Sequence, residues 1–191
     1  AGPFLHGDGA NRKKVEAPDF FISRYEVTCG EYQEFIKHLV ATGRRSEAAK
    51  RIPRGQDTAG AYWIETGSGF PIPSAWDPSW PVMVIHWNDA VAYGDWRTAS
   101  SGGRIRYRLP REVEWEKAAR GVDGRLFPWG NKWNAAYCKN PYSKVDDREP
   151  LPERIGAYEA DESPYGVREM AGGAREWCLD EDPRRSGWRA V

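Results

Sequence analysis

The sequence predicts a mixed α+β fold with short strands, about three helices and long loops. Strand-type alternation is one sign: Ile105, Tyr107 and Leu109 alternate with Arg104, Arg106 and Arg108, so one face is apolar and the other basic. Helical periodicity follows directly, with Trp115, Ala118 and Ala119 at i, i+3 and i+4 and Glu116 four residues before Arg120. The 20 glycines and 14 prolines require many turns between short elements, and ten tryptophans call for a core built on large rings. At 191 residues the chain can bury one good core, and it reads as a single domain over 1–191.

Residues 1 to 17 read as an entry strand and loop. Pro18-Asp19 closes that loop, and a strand begins at Phe20-Phe21-Ile22 and continues on one face through Tyr25 and Val27. Thr28 and Glu31 form a T-x-x-E capping box that opens a helix, whose Tyr32, Phe35, Ile36 and Leu39 make a core-facing stripe. His38 lies just off that stripe and reads as an ordinary surface histidine. From Thr42 to Gly60 the chain turns polar and basic, with Arg44, Arg45, Lys50, Arg51 and Arg54 around Ile52. That composition suits a solvated insertion, since Glu47 and Asp57 dilute the charge; the functional alternative is an anion-binding or partner-docking surface.

Tyr62-Trp63-Ile64 and the following GSGFPIPSAWDPSWP form a long aromatic loop in which Trp63, Trp76 and Trp80 either pack or present a binding surface. Val82 to Ile85 is expected as a short buried strand, and Asn88 as the cap of a second helix with Trp87, Ala90, Val91 and Gly94 on one face. The third helix, Arg111 to Arg120, ends at Gly121, where a left-handed cap is expected. Arg111 is a poor capping residue, so the cap comes from elsewhere or is forgone at roughly 1 kcal/mol. Asp123-Gly124 then makes a tight turn into Phe127-Pro128-Trp129-Gly130-Asn131.

Charge and composition narrow the function. Lys+Arg 28 against Asp+Glu 28 gives no net field, which disfavours a general nucleic-acid or anionic-membrane binder. No run is apolar enough for a transmembrane segment, and the N-terminus lacks a signal-peptide layout. The chain opens on Ala1, which reads as a processed or excised piece. Cys29, Cys138 and Cys178 include no C-x-x-C pair; they make neither a disulfide framework nor a zinc motif, and allow one bridge with one thiol left over. Glu112, Glu114 and Glu116 point to different sides of a helix, so they read as surface charge, Glu112 and Glu116 beside Arg120, and not as a catalytic pair. Asp146, Asp147, Glu149, Asp161 and Glu162 supply the hard oxygens calcium prefers, without EF-hand spacing.

RLPREVEWEKAARG followed by FPWGN resembles the signature of the formylglycine-generating enzyme family, also called the sulfatase-modifying-factor domain. Further blocks similar to the family stand in order: Tyr25-Glu26-Val27-Thr28, Pro81-Val82, Trp87-Asn88-Asp89-Ala90, Ser163-Pro164-Tyr165-Gly166-Val167, Met170-Ala171-Gly172 and Glu176-Trp177. The resemblance implies a C-type-lectin-like fold whose C-terminal part is missing here, leaving this piece marginal on its own. It implies calcium at Glu176, weakened because the family's asparagine is Gly173 here; the second calcium loop matches poorly at Tyr137-Cys138-Lys139-Asn140. It also implies copper-dependent oxidation by a C-terminal cysteine pair, but the chain ends at Val191 before that block. The family's iron-dependent sulfoxide synthases need a histidine cluster, and His6, His38 and His86 lack ligand spacing.

The leading expectation is therefore a non-catalytic binding or scaffolding module, with no catalytic or cofactor-binding residue. The resemblance places it in a larger bacterial multidomain protein or envelope assembly, extracytoplasmic and with a protein partner. The loops 42 to 80 and 140 to 160 would meet that partner, with Trp63, Trp76, Trp80, Arg44, Arg45 and Arg51 as its surface. One alternative is a copper oxidase whose cysteines lie beyond Val191. Another is a lectin-like domain with a small-molecule or glycan pocket lined by Trp63, Trp76 or Trp80.

Overall fold

The N-terminal residues pair with themselves. β1 (Gly2–His6) and β2 (Lys13–Ala17) form an antiparallel hairpin in the register Gly2↔Ala17 to His6↔Lys13. In this computed structural model, which describes residues 1–55, 60–143, 152–182 and 190, the remaining elements are α1 (Cys29–Ala41), α2 (Arg45–Arg51), α3 (Trp87–Ser100) and α4 (Glu112–Arg120). This is the expected α+β composition, with a hairpin where an entry strand and loop were expected. The chain divides into two units, Ala1–Glu26 with Pro110–Val191, and Val27–Leu109.

In the first unit the hairpin and α4 pack together. Phe4 is buried, and Lys117 on α4 holds the strand by donating from Nζ to the Gly2 carbonyl at 2.7 Å while its charge lies 5.8 Å from the Phe4 ring centroid. Ala118 and Ala119 face Val167 and Met170, with Phe20, Ile22 and Trp115 at the margin. Phe20 and Ile22 are thus apolar anchors in irregular backbone, and Phe21 between them is fully exposed; the strand expected there does not form.

The cap of α4 comes from elsewhere, as one of the two expectations had it. The N–H of Arg111 donates to Glu114 Oε2 at 2.8 Å, and the N–H of Glu112 donates to Asp180 Oδ2 at 2.7 Å, which places two carboxylates at the helix N-terminus. Glu116 is not surface charge. Its side chain is only 14% exposed and accepts from Arg120 Nη1 at 2.7 Å and from the Gly7 N–H at 2.7 Å. Gly121 ends the helix at φ 69°, ψ −143°, a region open essentially to glycine alone, and a Cβ there would also meet Pro164 Cγ at 2.9 Å.

The second unit is organised by α1. Its capping box is present, with Glu31 N donating to Thr28 Oγ1 at 3.2 Å and Thr28 N to Glu31 Oε2 at 2.9 Å, and the expected stripe of Tyr32, Phe35, Ile36 and Leu39 is buried. Tyr32, Phe35, Tyr93, Trp96 and Trp63 meet in edge-on and tilted contacts at 5.6 to 6.2 Å between ring centroids. α2 lies where a solvated insertion was expected. Its polar sequence hides the helix because only Ala48 and the following Ile52 reach the core.

Two more expected strands are absent. At Val82 to Ile85 the backbone bends at Val84, φ 53°, whose side chain is exposed. At 104–109 the chain is held against α3 by side chains: Tyr107 N donates to Thr98 Oγ1 at 2.9 Å and Ile105 N to Ser101 Oγ at 3.1 Å. With those donors satisfied locally, no neighbouring strand is needed. Gly94 lets that segment approach, since a Cβ there would lie 3.2 Å from the Tyr107 carbonyl oxygen. The cap of α3 is His86 and not Asn88, because the buried carboxylate of Asp89 takes the His86 N–H at 2.9 Å.

Candidate functional site

Four carboxylates from distant parts of the sequence come together in the first unit. Glu26 follows the hairpin, Asp161 and Glu169 flank the Ser163–Gly166 turn, and Glu176 follows the tight Gly172-Gly173 turn. The turn chemistry fixes them. Ser163 Oγ accepts from the N–H groups of Tyr165 and Val167, each at 3.2 Å, and Glu169 adopts φ 63°, an uncommon conformation for a non-glycine residue. Gly172 is forced by packing, since a Cβ there would lie 2.0 Å from the Lys139 carbonyl oxygen. Gly173 adopts φ 78°, in the positive-φ range that glycine enters freely.

Burial dominates the electrostatics of this cluster. It pushes Glu26 up to about 8, with further upward pressure from the charges of Glu176, Glu169 and Asp161. Asp161 is 1% exposed and is pushed up to about 6, first by burial and then by Glu169, although the N–H of Ala171 supports its Oδ2 at 3.1 Å. Glu176 is likewise raised by burial, opposed by the Trp115 indole N–H at 3.0 Å from Oε2. Glu26 Oε2 and Asp161 Oδ1 are buried without a hydrogen-bond partner. Within the cluster Glu26 is the carboxyl pushed above neutral pH to about 8.

Among the described residues no three histidines, cysteines or carboxylates are placed to hold one ion, and Glu176 Oε2 is taken by Trp115. Asp146, Asp147 and Glu149 lie outside the described residues, and Glu162 faces Arg168 and Arg24. The three cysteines are buried thiols and not half-cystines; burial raises Cys29 to about 11, Cys178 to about 12, and Cys138 above its ordinary value. Copper(I) is held by thiolates, and these environments disfavour the thiolate.

The expected partner surface is redistributed. Trp63 is 0% exposed and belongs to the core, so it lines neither a docking surface nor a lectin-like pocket. Trp76 and Trp80 are half-buried against the same core, Trp76 tilted 5.6 Å from Tyr62. Arg44 pairs with Glu47 at 2.7 Å, and Arg45 donates to Glu65 Oε1 at 2.6 Å and to the Thr66 carbonyl at 2.5 Å. Arg51 reaches Asp89 Oδ1 at 3.2 Å, and Arg54 reaches Asp89 Oδ2 at 3.0 Å. Glu26 and Glu169 carried no local sign of a role, because their cluster partners lie 8 to 150 residues away, and the arginine partners of Asp89 lie 35 and 38 residues away.

The hairpin on α4, the aromatic unit on α1 and the ordered turns around Ser163 and Gly172 define a sulfatase-modifying-factor type of domain. Residues 1–188 match the sulfatase-modifying factor enzyme 1-like domain, and the chain belongs to that family. It is 29% identical to the formylglycine-generating enzyme of Bos taurus over 93% of this chain and 53% of that protein. It is also 29% identical to the inactive C-alpha-formylglycine-generating enzyme 2 of Bos taurus, over 92% of this chain and 64% of that one. PvdO of Pseudomonas aeruginosa shares the fold at a TM-score of 0.67 and 27% identity, covering 95% of this chain and 68% of that one. The chain thus spans about half the length of the catalytic bovine relative. Among the described residues no helix is long and apolar enough to cross a membrane.

Proposed function

We propose that this chain acts as a non-catalytic binding and scaffolding module of the sulfatase-modifying-factor family. The observation that supports the reading is the state of the cysteines: all three are buried, with thiols held protonated well above neutral pH, where the family oxidase reaction requires a thiolate pair. The half-buried Trp76 and Trp80 and the loop that carries them suit contact with a protein partner. The likeness to a relative named as inactive supports the same reading.

The test is a copper(I) competition titration of the 191-residue chain against a chromogenic chelator, with oxidation of a cysteine-containing sulfatase-type peptide as the second readout. No stoichiometric copper retention and no peptide aldehyde are expected. One tightly held copper per chain together with peptide oxidation would overturn the proposal. The likeness to catalytic formylglycine-generating enzyme over 93% of this chain favours a second reading, a copper oxidase completed by residues outside this chain. A protein extended past Val191 that binds copper, when this chain does not, would establish that reading.

A further inference from the structure

We infer that the second unit carries a binding groove for a compact oxyanion of the phosphate or sulfate monoester class, between the end of α2 and the start of α3. The groove has a volume of about 330 Å³, at the small end for ligand pockets, and Lys50, Arg51, Arg54, His86 and Asn88 line it together with Glu47 and Asp89. Three cations thus face two carboxylates, a net charge of +1 in a space suited to one small anionic group.

The carboxylates are already committed. Asp89, its side chain 2% exposed, accepts from Arg51 Nη1, from Arg54 Nη2 and from the His86 N–H, so it works as an internal brace for the two guanidinium groups. Glu47 is shared between Arg44 at 2.7 Å and Arg51 at 3.6 Å. Arg54 is further fixed by donating to the carbonyls of Lys50 and Ile52, and Arg51 by donating to that of Asn88 at 2.9 Å. Two arginines braced from behind have little conformational freedom left to lose on binding.

Donor capacity is left over. Lys50 is exposed with no ion pair among the described residues, and His86 and Asn88, which line the same groove, are exposed as well. A tetrahedral oxyanion has acceptors on every side and matches planar guanidinium donors, whereas a cation would meet three positive groups and an apolar ligand would leave the donors unmatched. The inference deepens the binding-module reading by naming a ligand class. It is tested apart from copper, so either can fail alone.

The experiment is isothermal titration of the 191-residue chain with inorganic phosphate, and separately with phenyl phosphate, at fixed ionic strength against a chloride control. Saturable binding is expected that chloride does not reproduce. Tighter binding of phenyl phosphate identifies an ester as the ligand, and equal binding identifies the free oxyanion; both support the groove. Lys50→Glu and Asn88→Asp, at exposed positions, should each weaken phosphate binding at least about tenfold while far-ultraviolet dichroism stays unchanged, and Lys50→Arg should restore it to within about twofold. Heats indistinguishable from chloride, or a Lys50→Glu protein that binds phosphate as the parent does, would overturn the inference.

Discussion

The buried acid cluster makes a quantitative prediction about pH. Glu26 titrates near 4.5 when exposed and at about 8 in the fold, because burial and the neighbouring Glu176, Glu169 and Asp161 disfavour its charge. Between those values the unfolded chain has released the proton and the folded chain keeps it, so stability declines as pH rises through the window and levels off above about 8. At about 1.4 kcal/mol per pH unit the full gap would amount to about 5 kcal/mol, and water reaching the half-buried side chain lowers this to about 2 to 3 kcal/mol. Asp161 acts with the same sign but is complete by about 6. Over the interval from about pH 6.5 to about pH 8.5, which lies above the Asp161 value, Glu26 should account for a loss of about 1 kcal/mol, read as the difference between the parent and a Glu26→Gln variant because the buried Glu176 is raised in the same direction. Glu26→Gln removes that titration, so its urea-unfolding free energy should fall less steeply over that interval than the parent's and should exceed the parent's at the alkaline end. Parallel curves for parent and variant would refute the assignment, since they would show that Glu26 carries no raised pKa.

The other predictions concern packing and caps. Gly172→Ala places a Cβ 2.0 Å from the Lys139 carbonyl oxygen and should cost at least about 3 kcal/mol or prevent folding, read by thermal denaturation. Asp89→Asn leaves Arg51 and Arg54 without their shared carboxylate and should cost about 3 kcal/mol in the same assay, with little change for Glu47→Gln as a surface control. Asp180→Ala removes the acceptor at the start of α4 and should cost about 1 kcal/mol. Addition of calcium should leave the melting temperature unchanged, because Glu176 is engaged by Trp115; a saturable rise abolished by Glu176→Gln would restore the calcium reading.

What the sequence disclosed was what is encoded locally. α1 could be read because its capping box and its stripe lie within a dozen residues, and α4 because its periodicity and terminal glycine are adjacent. α2 escaped notice because a seven-residue helix that buries only Ala48 leaves no apolar period to detect. The segment 104–109 alternates like a strand, yet its donors are met by Thr98 and Ser101, a pairing that composition does not record. Trp63 shows the same limit at a single residue: an aromatic in a loop suits packing and recognition equally, and its full burial against Tyr32 of α1 decides for packing. The acid cluster joins positions 26, 161, 169 and 176, and long-range convergence of that kind has no signature in spacing.

The bonds from Thr98 and Ser101 to the segment after α3 also bear on how this chain can vary. The connection contains Gly102 and Gly103, both at positive φ and open to solvent, and it has the look of a loop that could lengthen freely. It cannot do so without loss. Tyr107 must arrive nine residues after Thr98 and Ile105 four after Ser101, so a residue inserted before Ile105 would break both bonds, and one inserted after it would still break the first and lift Tyr107 off Gly94. Side-chain changes at the exposed Arg104 and Arg106 should be accepted readily, while single-residue insertions and deletions between 102 and 106 should be rejected. That makes this turn a ruler, in which the fold depends on length and not on composition.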